Sequence, residues 1–159
     1  MARISVQPEP FDLAAEVAVL EGPGVGAVVT FTGLVRNTSA LGEVTAIELE
    51  HYPAMTSKSL ERIVAEAEQR WPLLGVTLIH RIGYLKAGAP IVMVAVASKH
   101  REAAFQAASF LMDFLKTRAP FWKKEWVGGQ AHWVEAKTAD VAAADRWSSV
   151  GCSSGHPSS

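Results

Sequence analysis

Residues 91–127 read IVMVAVASKHREAAFQAASFLMDFLKTRAPFWKKEWV, and three periodicities succeed one another within them. Ile91–Ala97 is an apolar run rich in β-branched residues, the pattern of a strand. From Ser98, the expected N-cap, the period becomes helical, with Phe105, Ala108 and Met112 on one side. That helix is predicted to run to Arg118 and to stop before Pro120. Phe121–Val127 then returns to a period of two, with Phe121, Lys123 and Glu125 on one face and Trp122, Lys124 and Trp126 on the other. Strand, helix and strand without a regular βαβ repeat predict an α+β fold, a mixed or antiparallel sheet with flanking helices, rather than a doubly wound sheet.

Towards the N-terminus, Ile4–Gln7 alternates as an edge strand, and Asp12 can cap a short helix carrying Leu13, Val17 and Leu20. Gly22-Pro23-Gly24 breaks the chain before Val25–Phe31, which reads as a buried strand. Arg36–Gly42 is a polar loop. Val44–Tyr52 alternates, placing Val44, Ala46, Glu48 and Glu50 opposite Thr45, Ile47, Leu49 and His51. Thr56 precedes a helix with Leu60, Ile63, Val64, Ala67 and Trp71 at helical spacing, ended by Pro72. Val76–Ile82 is a strand, joined to Ile91–Ala97 by a hairpin loop at Gly83–Pro90. His132–Ala136 reads as a short strand and Ala139–Trp147 as a last helix. Residues 1–147 are thus expected to form one domain, and 148–159 a mobile polar tail.

Composition narrows the function classes. The chain has 159 residues, 49% hydrophobic and 19% charged, and its mean hydropathy is +0.15. That excludes a disordered chain, and the length buries enough surface to need no staple. A single cysteine, Cys152, makes no internal disulfide. No apolar run reaches the ~18 residues of a membrane helix, and no secretory h-region opens the chain, so a cytoplasmic protein without membrane contact is expected. The five histidines show no ligand spacing, so no metal is expected. A net charge of −1 and a pI near 6.5 argue against nucleic acid as a partner. The average hides an imbalance: residues 99–124 hold six basic residues against two acidic, and the rest of the chain nine against fourteen. A local +4 beside −5 points to a small anionic ligand.

The candidate residues cluster around the 98–118 helix. At its start, His100 and Arg101 stand where free backbone N–H groups and the helix dipole favour an anion, and a guanidinium can hold two oxygens. A solvated surface arginine is the plainer reading of Arg101 on residue type alone. At its end, Lys116 borders the apolar face. Partial desolvation would lower its pKa and suit it to acid–base or nucleophilic work, whereas the helix C-terminus favours its charge; a lysine snorkelling beside the core fits the spacing too. Around Lys123 and Lys124, aromatic rings and lysines can wall a flat phosphorylated heterocycle, or simply form an amphipathic strand. Arg36 follows a strand end, with Gly33 permitting close approach. Arg101 and Lys116 are 15 residues apart, about 22 Å along a helix at ~1.5 Å per residue. A small ligand cannot touch both, so one shared site requires two chains; otherwise each chain has two anion sites.

Taken together, VVTFTGLVRN, LEHYPAMT, RWPLLGVTLIHRIG, SKHREAAFQAASFLMDFLKTRAPFWKKE and HWVEA resemble, in order from about Val25 to Trp147, the large catalytic subunit of molybdopterin synthase. The resemblance implies an α/β hammerhead fold and a homodimer within a heterotetramer, flanked by two small ubiquitin-like sulfur-carrier subunits. It implies a sulfurtransferase that moves two sulfurs from the thiocarboxylate on the carrier's C-terminal glycine to cyclic pyranopterin monophosphate, forming the molybdopterin dithiolene, with no cofactor. By the same match Lys116 and Lys123 take the catalytic positions, Lys116 the more essential, while Arg36, His100, Arg101, Lys124, Glu125 and Lys137 bind substrate. Gly128-Gly129 would suit the passage of the carrier tail. Leu34 stands where some relatives carry lysine, and Lys137 where an arginine can occur, which keeps charge and loses bidentate geometry. The alternative is a non-catalytic module that binds a phosphorylated pterin or nucleotide, or scaffolds a ubiquitin-like partner.

Overall fold

In the computed structural model, which describes residues 2–118, 120–134 and 147, two central strands organise the first sheet. Strands β5 (Leu73–Arg81) and β7 (Pro90–Ser98) pair antiparallel. Strand β1 (Ala2–Gln7) joins β5 in parallel, and β2 (Ala27–Leu34) joins β7 antiparallel, giving the order β1-β5-β7-β2. Helices cover both faces, which explains why β5 and β7 are apolar almost throughout instead of alternating. Val76, Leu78, Val92, Val94 and Val96 pack against helices α2 (Pro53–Arg70) and α3 (Arg101–Thr117). Ile79, Met93 and Ala95 meet Phe11 and Leu20 on the opposite side, where helix α1 (Leu13–Leu20) lies. Asp12 caps α1 as expected, its Oδ1 accepting from the Ala15 N–H at 3.1 Å.

The mixed α+β class holds, and several local expectations shift. The strand expected to be buried at Val25–Phe31 is β2, and it is an edge strand with Phe31 39% exposed. β-Branched residues specify extended backbone, not the number of neighbours. Helix α2 begins at Pro53 rather than after Thr56, because proline at the first helical position loses no hydrogen bond. Thr56 instead sits buried inside α2, its Oγ1 3.1 Å from His51 Nδ1. Ser98 ends β7 and its hydroxyl donates to the Pro72 carbonyl at 2.9 Å; the N-cap of α3 is His100, with no side-chain cap bond.

A second, antiparallel sheet forms around β4 (Gly42–His51). Strand β6 (Gly83–Lys86) flanks it on one side and β8 (Phe121–Val127) on the other, with β9 (Gln130–Val134) beyond β8. Residues 83–90 are therefore not a simple hairpin loop: the chain leaves β5, pairs with the other sheet, and returns. The loop at 36–42 likewise holds a two-residue strand, β3 (Thr38–Ser39), paired with the start of β4. A register shift between Val44 and Ala46 leaves Thr45 as an extra residue, so the expected alternation of β4 breaks there. Val44 consequently shares a small core with Ile47, Leu49, Val35 and Leu85. Gly128 and Gly129, at φ 59° and 79°, make the two-residue turn between β8 and β9, whose left-handed backbone is what demands glycine. Of the expected last helix only Trp147 is described; its ring packs edge-on against Trp71 and Phe110. The tail with Cys152 lies outside the described residues.

Candidate active site

A cavity of about 580 Å³ opens between the first sheet, the C-terminal end of α3 and the second sheet. Four of the expected residues meet there. Lys116 comes from the last turn of α3, Lys123 and Glu125 from one face of β8, and Arg36 from the loop after β2. Glu125 is buried, whereas Lys116 and Arg36 are exposed. Leu34 lines the rim and is 55% exposed. Gly33 lines it too, and a Cβ there would meet Val92 Cγ1 at 2.8 Å, so the glycine lets β2 close against β7.

The alternation of β8 decides what this strand gives the cavity. Phe121, Lys123 and Glu125 line it. Trp122 and Trp126 turn to the other face, where Trp122 meets Tyr52 edge-on at 5.0 Å and Trp126 meets Tyr84 at 6.0 Å. Lys124 is on that outer face, with Nζ 3.7 Å from Glu50 Oε1 and 4.7 Å from the centre of the Trp133 ring. The aromatic part of the wall therefore comes from Phe121 and Phe31 and not from the tryptophans of β8; Trp133 of β9, the cross-strand partner of Lys124, turns its ring to the outer face. Gly128 and Gly129 are consumed by their turn and do not line the cavity.

One lining group has no counterpart among the sequence-based candidates. His80, buried on β5, stacks on Phe121 with ring centroids 4.1 Å apart and planes 16° from parallel. Its Nδ1 donates to the Arg81 carbonyl at 2.8 Å. Burial is the main cause that pushes its pKa down to about 4; the carbonyl contact opposes this, and the charges of Lys116 and His51 add to it. The imidazole is neutral at neutral pH. The only signal in the sequence is a histidine closing an apolar strand, at LIHR.

His100 and Arg101 lie elsewhere. With Gly26, Lys99 and Glu102 they line a separate cleft of about 440 Å³ at the N-terminal end of α3. The Gly26 N–H donates to the Ser98 carbonyl at 3.0 Å, and a Cβ on Gly26 would collide with the Lys99 carbonyl oxygen. That glycine lets β2 press against the turn presenting His100 and Arg101. Lys137 lies outside the described residues.

The ordered arrangement has relatives. Residues 6–118 match the family profile described as MoaE protein. The chain belongs to the MoaE family. A curated MoaE relative, the molybdopterin synthase catalytic subunit of Mesorhizobium japonicum, is 54% identical over 150 residues, covering 92% of this chain and 93% of its own. The solved MoaE structure from Burkholderia ambifaria, a molybdopterin biosynthesis protein, is 49% identical, covers 93% of this chain and 99% of its own, and superposes with a TM-score of 0.79. A complex of subunits 1 and 2 of molybdopterin-converting factor from Helicobacter pylori shares the MoaE fold at 18% identity and a TM-score of 0.69, covering 86% of this chain and 91% of its own. Among the described residues no helix is long and apolar enough to cross a membrane, and no group of three His, Cys, Asp or Glu could hold a metal ion.

Proposed function

We propose that this MoaE protein is the catalytic subunit of a molybdopterin synthase, transferring sulfur from a small ubiquitin-like carrier to cyclic pyranopterin monophosphate. The observation that carries the reading is the family match over residues 6–118, with Lys116, Lys123, Arg36 and Glu125 gathered in one cavity. In each of two transfers, the sulfur of the thiocarboxylate on the carrier's C-terminal glycine bonds to a pterin carbon as a C–O bond at that carbon breaks; water then hydrolyses the resulting thioester, so the sulfur stays on the pterin and the carrier departs as a carboxylate. The carrier tail enters the cavity from solvent. Lys116 and Lys123 stabilise the oxyanions that develop as the acyl carbon releases sulfur. Lys116, at the exposed rim, also moves protons or holds a covalent intermediate.

The pterin phosphate is held by His100 and Arg101. These stand at the far end of α3 from Lys116, about 22 Å away at ~1.5 Å per residue, so the partner protomer of a homodimer brings its α3 N-terminus to this cavity. Lys124, on the outer face of β8, supports that strand through Glu50 and Trp133 and acts on substrate indirectly. Reconstitution with thiocarboxylated carrier and cyclic pyranopterin monophosphate tests the whole reading. Lys116→Ala is expected to lower turnover at least a hundredfold, on the order of a lost acid–base or nucleophilic group; unchanged turnover would remove Lys116 from the mechanism.

A further inference from the structure

His80 is held on two sides. The Arg81 carbonyl takes the proton on Nδ1 at 2.8 Å, which leaves the lone pair on Nε2. Phe121 stacks on the ring face at 4.1 Å and fixes its plane. Tautomer and orientation are thus both set, and Nε2 has no hydrogen-bond partner among the described residues. The ring stands in the wall of the cavity that holds Lys116, near enough for the lysine's charge to act on it. The other polar side chains lining this cavity are the cations Arg36, Lys116 and Lys123, the carboxylate of Glu125 and the hydroxyls of Ser39 and Thr117.

We propose that His80 is a positioning residue for Lys116: its Nε2 accepts a hydrogen bond from the Lys116 ammonium when substrate occupies the cavity, and so fixes where Nζ sits. The inference rests on the sulfur-transfer reading above and goes beyond it in assigning a role to β5. A carboxylate in this place would also hold the ammonium, but it would strengthen the lysine's grip on its proton. A neutral imidazole aligns the ammonium with a smaller bias toward the charged form, because it carries no opposite charge. The groups that bear on His80 are Lys116 from α3, His51 from β4, and Lys123 and Glu125 from β8 across the cavity. Burial, with the nearby charge of Lys116 adding to it, keeps His80 unprotonated down to about pH 4, so the acceptor persists through the neutral range.

Two measurements on the full chain test this. In steady-state assays with thiocarboxylated carrier, His80→Phe keeps the stack on Phe121 and removes the acceptor. It should lower kcat by roughly ten- to a hundredfold, the cost of a misplaced reacting group. KM for the pterin should change little, and the lysine limb of the pH–rate profile should move. His80→Gln, which returns an acceptor near the position of Nε2, should recover most of kcat. Wild-type kcat in His80→Phe, or a glutamine no better than the phenylalanine, overturns the proposal. Nitrogen NMR of the His80 ring, recorded with cyclic pyranopterin monophosphate bound and no carrier present, needs neither His80 variant nor turnover: Lys116→Ala should shift the Nε2 resonance and raise the titration midpoint of His80, and an unmoved resonance overturns the proposal even where the His80 variants fail to fold. An inactive wild-type chain with a responsive His80 ring would instead count against the sulfur-transfer reading alone.

Discussion

The lowered pKa of His80 makes a statement about stability as well as about chemistry. Folded, the group titrates at about 4; unfolded, at the ordinary 6.5. Between these values the unfolded chain binds the proton first, so stability is complete above pH 6.5 and falls as pH drops towards 4, by about 3 kcal/mol in all. Denaturant titrations across that window should show the slope, and His80→Phe should flatten it. Gly26 carries a different constraint. Gly26→Ala drives a methyl into the Lys99 carbonyl oxygen, so it should destabilise the fold by about 1–3 kcal/mol, seen as a lower Tm, and should weaken phosphate binding at His100 and Arg101. Residue type was legible for the cations: Lys116, Lys123 and Arg36 announced themselves as charges beside apolar runs, and the cavity gathers them. His80 did not, because a histidine within an apolar strand looks the same whether its ring is simply packed or opens on a cavity.

At the scale of elements, β8 divides its labour by face. Lys123→Ala should lower turnover strongly, whereas Lys124→Ala should change KM for the pterin less than about twofold, since an exposed ion pair and a cation over a ring contribute only ~0.5–1 kcal/mol each. Parallel kinetics of the two variants check this. Helix α3 carries a comparable tension at its start. His100 occupies the N-cap without capping by its side chain. His100→Ser should therefore raise stability by about 1 kcal/mol while weakening substrate binding, which thermal melts and KM measure separately. Strand and helix positions were readable from periodicity, down to the limits of β8 at Phe121–Val127. What periodicity did not carry was pairing. Residues 83–86 cross to the other sheet, β2 stops at an edge, and Thr45 throws β4 out of phase; each depends on contacts far away in sequence.

In the whole molecule the +4 segment resolves into two places, the cavity around Lys116 and the cleft around Arg101, at opposite ends of α3. If one homodimer supplies both to each reaction, mixing inactive Lys116→Ala and Arg101→Ala proteins should restore activity. Random exchange makes half the dimers mixed, and each mixed dimer holds one intact site of two, so recovery should approach about a quarter of wild type. No recovery after verified subunit exchange would place both residues in sites within single chains. The same helix then works as a gauge. Each residue inserted or removed between Arg101 and Lys116 turns one end by about 100° against the other and moves it ~1.5 Å, so a single-residue change throws the phosphate grip out of phase with the lysine. Homologous chains should vary in length at the turns, as at residues 22–24 or 128–129, and keep the count of α3 unaltered.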